Sequence, residues 1–260
     1  MPSTRGPCGG CTGPPSRASG PSRRSWPMPD SANPGAFRFA AMPPPLPPDL
    51  LALADGLEPA ALGHLLDEGF TGPRHRHLAG RREASLGLVV TCRSHGADNA
   101  IVHHAISRLR PGDFLVIARE PGRPEACLGG GLALAAERAG CAGILVDGPV
   151  TDVQELRQLA LPVWATGLTA LTCKRRYEQG EFCEPVAIGG VAIVPGMFAL
   201  GDENGVLFVD GAGLRACAPE AKARQAAQAQ RYARVRAGER LAALNGTDEA
   251  FARILAQAAR

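Results

Sequence analysis

The sequence predicts an α/β fold: a mixed sheet with flanking helices and a small antiparallel meander. Three observations carry this. Between residues 86 and 165 short apolar runs alternate with amphipathic stretches, the order of parallel strands joined by helical crossovers. From Val186 the pattern changes to brief apolar runs separated by Gly, Pro, Asp and Asn, which reads as hairpins. The last 40 residues are rich in Ala, Arg and Gln, residues with good helix propensity.

Taken in order, residues 1–48 hold 13 of the 23 prolines and end in Met42-Pro-Pro-Pro-Leu-Pro-Pro48. Such a composition buries too little apolar surface to offset its ordering entropy, so a disordered tail is expected. A natural start at Met28 or Met42 would then remove most of it without touching the folded part. Leu57 to Gly69 reads as a short amphipathic helix, with Pro59 near its start and glycine at its end. Leu86 to Cys92 and Phe114 to Ala118 read as buried strands on either side of a helix from Asn99 to Leu109, with Pro111-Gly112-Asp113 as a turn. Gly129-Gly-Gly131 opens a helix that runs to Gly140. A strand from Gly143 to Asp147, a helix from Asp152 to Ala160 and a short strand from Pro162 to Ala165 follow. Asp202-Glu-Asn-Gly205 has the pattern of a hairpin turn. The C-terminal region should form two helices, the first long and basic, with breaks at Gly238 and at Asn245-Gly246. So polar a helix is expected to pack against another subunit. The chain thus divides into a tail (1–48), one α/β domain (49–214) and C-terminal helices (215–260).

Charge follows the same division. The whole chain has 28 Lys+Arg and 25 Asp+Glu, but the three segments carry net +4, −6 and +5. An acidic compact part argues against a nucleic-acid-binding core, which needs Lys and Arg clustered on a folded face. No run approaches the roughly 18–20 apolar residues of a membrane span, and no apolar secretory stretch opens the chain. Six of the eight cysteines lie in or beside apolar segments, as buried free thiols in a reducing cytoplasm would. Cys8-Gly-Gly-Cys11 has no second pair or nearby histidine, which makes it a poor metal or redox motif. Cys92, His95, His103 and His104 match no standard zinc spacing. On a helix, His103 and His104 point about 100° apart, so at most one joins a given site.

The segment from Gly129 to Leu156 is richest in chemistry. Three glycines ahead of a helix leave backbone N–H groups open at the positive end of its dipole, which suits a carboxylate or phosphate. The next strand delivers Asp147 and Asp152 to a loop at its carboxyl end, where ligands of parallel sheets bind. Carboxylates beside an anion pocket would repel its ligand unless a cation such as Mg²⁺ reconciles them. Plainer readings stand beside these: a tight turn at Gly129–Gly131, a strand-closing Asp147, and an N-cap with capping box at Asp152 and Glu155. The two readings of Asp152 differ in what its oxygens face.

Gly130, twenty residues, Thr151-Asp152, two residues and Glu155 resemble a family signature at every position but one. The signature is Gly, twenty residues, Arg-Asp, two residues, then Glu or Asp. It belongs to the RraA-like family, named for regulator of ribonuclease activity A, which includes the 4-hydroxy-4-methyl-2-oxoglutarate (HMG) and 4-carboxy-4-hydroxy-2-oxoadipate aldolases. Gly96-Ala-Asp98-Asn99 with His103, Pro111-Gly112-Asp113, Leu161 to Gly167, Ile188 to Gly196 and Gly201 to Val206 extend the likeness, in order, over roughly residues 50 to 240. The resemblance implies a β/β/α core and a homo-oligomer, a trimer or a hexamer, with active sites between subunits. It also implies roles. The backbone N–H groups after Gly130, those of Gly131, Leu132 and Ala133, would hold the pyruvoyl head of a 2-oxo acid. Asp152 would position Mg²⁺, or another divalent cation such as Mn²⁺, through its water shell.

The position of the signature arginine, which would bind the oxo acid and stabilise its enolate, is Thr151. Loss of a preorganised donor to a developing oxyanion costs about 10²–10³ in rate. A threonine hydroxyl restores about 0.5–1.5 kcal/mol and no charge. Aldolase turnover should therefore be weak unless another cation enters, and Lys174, Arg175 and Arg176 are the nearest run. The family's aldolases also lend a carboxylate from a neighbouring C-terminal helix, whereas no acid lies between Glu220 and Glu239. The expectation is a cytoplasmic, divergent, metal-dependent lyase with Asp152 and Thr151 as its catalytic pair. It would cleave (retro-aldol) or decarboxylate a 2-oxo acid through a pyruvate enolate. The alternative is a non-catalytic oligomer that binds and regulates a protein partner.

Overall fold

The computed structural model describes residues 36–259; Cys8, Cys11 and Met28 lie outside them. The chain enters through β1 (Phe37–Phe39), α1 (Pro48–Ala54) and α2 (Pro59–Leu62), both helices with proline in the first turn. Strands and helices then alternate: β2 (Arg76–Ala79), β3 (Ser85–Ser94), α3 (Ala100–Arg108), β4 (Asp113–Arg119), α4 (Gly130–Arg138) and β5 (Gly143–Val146). Short elements follow: β6 (Pro149–Val150), α5 (Val153–Leu156), β7 (Val163–Ala165), β8 (Gly167–Leu168) and β9 (Gly180–Phe182). Two hairpins, β10 (Val186–Ile188) with β11 (Val191–Ile193) and β12 (Phe198–Asp202) with β13 (Gly205–Val209), precede α6 (Gly211–Arg236), α7 (Leu241–Leu244) and α8 (Thr247–Ala258).

The main sheet is mixed, as expected. Its strands run β1-β9-β3-β4-β5-β7-β2, with β12 and β13 attached at the start of β3. β3, β4, β5 and β7 are parallel neighbours, while β2, β9 and β12 pair antiparallel with β7, β3 and β3. β4 is buried along its whole length. Its Leu115 and Ile117 enter one core with α3 and α4, and its Phe114, Val116 and Ala118 enter another with Trp164 and Phe208. That period of two, with both faces covered, produces the continuous apolar run of a central parallel strand. A third cluster joins α1, α2 and the first half of α6 to β12 and β13.

Several expectations are corrected. Residues 36–48, assigned to the disordered tail, are built into the fold: β1 pairs in parallel with β9, and Met42 and Leu46 pack against the cores. A start at Met42 would delete that strand. The helix expected from Leu57 to Gly69 stops at Leu62, because Gly69–Thr71 turns to pair with β13. A Cβ on Gly69 (φ +94°) would lie 2.9 Å from Leu207 Cδ1. The helix expected from Asp152 to Ala160 ends at Leu156. Beyond it, the N–H groups of Ala160 and Leu161 donate to Glu137 Oε1 at 2.6 and 3.1 Å. The meander is two hairpins in different sheets.

The C-terminal region breaks where expected, at Gly238 (φ +96°) and Gly246 (φ +77°), but the two breaks leave three helices where two were expected, because α7 forms a single turn between them. Asp210 caps α6 by accepting the Gly213 N–H at 2.6 Å. The buried residues of α6 are Leu214, Ala218 and Ala221, all in its first half, and α7 and α8 bury none.

Candidate functional site

The loops that follow the carboxyl ends of β3, β4, β5 and β7 converge, as ligand-binding loops of parallel sheets do. They enclose a cleft of about 380 Å³ lined by Asn99, His103, Ala126 to Gly129, Gly131, Leu132, Ala135, Thr151, Asp152, Thr172 and Cys173. A larger groove of about 690 Å³ lies elsewhere, between Leu66–Phe70 and Gly189–Ala192, and contains none of the candidate catalytic, substrate-binding or metal-holding residues. The chemistry sits in the smaller cleft.

Asp152 adopts the left-handed conformation (φ 56°, ψ 43°) and makes no side-chain cap on α5. Its carboxylate turns back across the cleft instead. Oδ2 accepts the Gly130 N–H at 3.0 Å, and Oδ1 accepts the Thr151 hydroxyl at 3.2 Å. The capping-box reading is thereby replaced by an anchor between two loops. This anchor explains the glycines. A Cβ on Gly129 would run into the Asp152 carboxylate and the Thr151 methyl group, and one on Gly130 would lie 2.7 Å from Glu155 Cβ.

The amides at the start of α4 then divide. The Ala133 N–H donates to Gly129 O at 3.0 Å as an ordinary helical bond, so Ala133, expected to bind substrate, has no amide to offer. The Gly130 N–H is taken by Asp152. Among the described residues the N–H groups of Gly131 and Leu132 have no protein acceptor, and both residues line the cleft. Two open amides at a helix N-terminus suit one carboxylate.

Asp147, the other acid of the strand-end loop, is engaged elsewhere. Its Oδ1 receives the buried His75 Nε2 at 3.0 Å and the Arg74 guanidinium. Burial works to raise the Asp147 pKa, but the His75 hydrogen bond and the Arg74 charge outweigh it and hold the carboxyl below its ordinary range. Asp147 is absent from the cleft lining.

The two histidines separate as their helical spacing requires. His103 lines the cleft, where burial, aided by the Arg175 charge, lowers its pKa. His104 packs edge-on against Phe39 and Phe182, with ring centroids 5.1 and 5.2 Å away. The basic run lies beside the cleft without lining it. The loop carrying Lys174 to Arg176 is pinned through its backbone to buried Asp98, which accepts the N–H groups of Arg176 and Glu178 at 2.9 and 2.8 Å. The chemistry of Cys127 and Cys173, which wall the cleft, and of Asn99, whose buried Oδ1 has no partner, was not apparent from residue pattern. Asn99 is marked in the sequence only by the Gly96-Ala-Asp98-Asn99 likeness, and the two cysteines only by their apolar neighbours.

Among the described residues no group of three or more His, Cys, Asp or Glu is placed to hold a metal. Asp152 is the one carboxylate in the cleft lining.

Comparison with known proteins places this geometry. The family model RraA-like (Aldolase/RraA) matches residues 62–208. A 4-hydroxy-4-methyl-2-oxoglutarate aldolase of Thermus thermophilus is 35% identical over 149 residues, 57% of this chain and 89% of the relative. A putative aldolase of the same name from Xanthomonas campestris is 35% identical over 138 residues, 52% of this chain and 80% of the relative. Among solved structures, the RNA-processing inhibitor RraA of Thermus thermophilus is 32% identical with a TM-score of 0.53, covering 58% of this chain and 90% of its own. An RNase ES inhibitor family member of Streptomyces coelicolor, at 24% identity and a TM-score of 0.62, shares the fold over 74% of this chain and 98% of its own. With a family model that matches more than half of its length and relatives that share sequence and fold, the chain belongs to the RraA-like family.

Proposed function

We propose that the chain is a divergent lyase of the HMG aldolase type, acting on a 2-oxo acid with a divalent cation held at Asp152. The observation that carries this reading is the pairing of a fixed, exposed carboxylate with two open helix-terminal amides in one cleft. The donor set fits Mg²⁺ or Mn²⁺, since Mg²⁺ is commonly held by one or two carboxylates with retained waters and substrate oxygens. The partnerless Asn99 Oδ1 in the same wall is suited to accept from such a water. When bound, the cation would supply Lewis-acid polarisation of the oxo acid.

The protein's own groups would share the remaining work. The Gly131 and Leu132 amides donate to the substrate carboxylate. Thr151 positions Asp152 through its hydroxyl and brings no charge to the enolate. His103, whose lowered pKa keeps the imidazole neutral at pH 7, is available to take the proton of a 4-hydroxyl group as the carbon–carbon bond breaks. The pyruvate enolate then collects a proton to leave as pyruvate. The free, mostly buried cysteines support a reducing, cytoplasmic setting.

The test is pyruvate release from HMG and from oxaloacetate, with and without Mg²⁺, for wild type and Thr151→Arg. Cation-dependent turnover that rises in the variant supports the reading. No turnover in either chain, under any condition, sinks it.

A second reading is a non-catalytic homo-oligomer that binds a protein partner. It is favoured by α8, whose Phe251, Ile254 and Leu255 are exposed on one face. Under that reading Mg²⁺ and oxalate leave the melting temperature unchanged.

A further inference from the structure

Arg119 closes β4 and is fully buried, its side chain 0% exposed. Its Nη2 donates to Gly96 O at 2.9 Å, and its Nη1 to Ser94 Oγ at 3.3 Å and Cys173 Sγ at 3.1 Å. The guanidinium also lies against the Cys127 thiol. Both cysteines are wall residues of the cleft, so the charge sits one sulfur atom behind the surface that a ligand would touch. Gly148 leaves room for the side chain, since a Cβ there would lie 3.0 Å from Arg119 Cδ.

This charge is only partly compensated. Its hydrogen-bond partners are a carbonyl, a hydroxyl and a thiol, and its Nε has no partner. Burial pushes the Cys127 thiol up to about 11, so that thiol is uncharged at neutral pH. The nearest carboxylate, Glu125, faces it at 3.8 Å through Oε2, beyond hydrogen-bond distance, while its Oε1 meets Arg123 at 3.0 Å. A buried cation with mainly neutral partners is costly. An anion in the cleft would lower that cost.

We propose that Arg119 is the cation of this site, supplying from behind the wall formed by Cys127 and Cys173 the positive potential that Thr151 does not. The ligand it favours is a carboxylate anion lying against Cys173. Arg119 acts through the thiol without touching substrate, as a positioning residue. This rests on the reading of the cleft as a 2-oxo-acid site. The signature position, Thr151, lies in the turn before α5, whereas Arg119 is buried at the end of β4.

The experiment is calorimetric titration of full-length wild type, Arg119→Met, Arg119→Lys and Asp152→Ala with oxalate plus Mg²⁺, and separately with sulfate. Cys173 alkylation by iodoacetamide is followed by mass spectrometry in the same samples. Oxalate should bind Arg119→Met at least tenfold more weakly than wild type, and Arg119→Lys should recover most of the loss, which a merely structural role would not produce. Oxalate should slow Cys173 alkylation in wild type and in Arg119→Lys, a readout that stands even if Arg119→Met does not fold. Oxalate binding by Arg119→Met within twofold of wild type overturns the proposal, as does unchanged Cys173 alkylation in wild type saturated with oxalate. If wild type binds sulfate in an Arg119-dependent way but shows no Mg²⁺-dependent oxalate binding, the lyase reading fails and the anion site stands. Binding of neither anion overturns both.

Discussion

The Gly130 N–H and the Asp152 carboxylate are joined by a 3.0 Å hydrogen bond across 22 residues of sequence. This one bond ties the turn before α4 to the turn before α5. It also sets the direction of the one acid that lines the cleft among the described residues and removes one amide from the set open to a ligand. The left-handed backbone of Asp152, uncommon for a residue other than glycine, is what lets its side chain reach back. Backbone strain of this kind clusters at functional sites.

Gly130 and Gly131 are predicted to be unequal. Gly130→Ala drives a methyl group into Glu155 and should destabilise the fold by about 1–3 kcal/mol, the usual cost of overpacking. Gly131→Ala meets nothing within 4 Å and should be neutral or stabilising by up to about 1 kcal/mol through helix propensity. Urea denaturation of the two variants checks the order.

Thr151→Val removes the hydroxyl donated to Asp152 Oδ1. At this exposed site the bond contributes no more than about 1.5 kcal/mol, so Mg²⁺ affinity should fall by up to about twelvefold with little change in stability. Thr151→Arg should raise pyruvate release by up to about 10²–10³. Mg²⁺ titration and steady-state kinetics measure the two effects.

The Asp147, His75 and Arg74 cluster predicts an acid-sensitive latch. The folded carboxyl of Asp147 titrates below its ordinary value of 3.8. Its contribution is therefore present above that pH and is lost as pH falls through the folded-state value. Asp147→Asn should cost about 1–3 kcal/mol at pH 7, and the gap to wild type should narrow as pH falls below the ordinary carboxyl value of 3.8. Denaturation midpoints across pH 2–7 check this.

The C-terminal arm predicts a separation of stability from assembly. Because α7 and α8 bury no residue, deleting residues 238–260 should leave the melting temperature of the α/β domain nearly unchanged. The exposed Phe251, Ile254 and Leu255 should nevertheless hold subunits together, so light scattering should report a smaller oligomer for the truncated chain.

What was legible in the sequence follows from how local each cause is. β3 and β4 announce themselves as continuous apolar runs because both faces are covered. β9 does not, because it has three residues and begins at Gly180, selected for its approach to Ile101, where a Cβ would come within 2.6 Å. Asp152 and Gly130 could be paired through their likeness to the family signature. That Ala133 has no amide to offer depends on which residue starts the helix, a boundary that pattern does not resolve. Arg119 and Cys173 are 54 residues apart, and nothing in either neighbourhood signals that their side chains meet.

The central claim, that Asp152 and the amides of Gly131 and Leu132 form a cation-assisted oxo-acid site, is tested most directly by thermal shift with Mg²⁺ and oxalate together. Ligand at about 100 times its dissociation constant adds about 2.7 kcal/mol. For a chain of this size that is a rise of about 5–10 °C. The account predicts that rise in wild type, its dependence on Mg²⁺, and its loss in Asp152→Ala; an unchanged melting temperature in wild type, or an undiminished shift in Asp152→Ala, would contradict it.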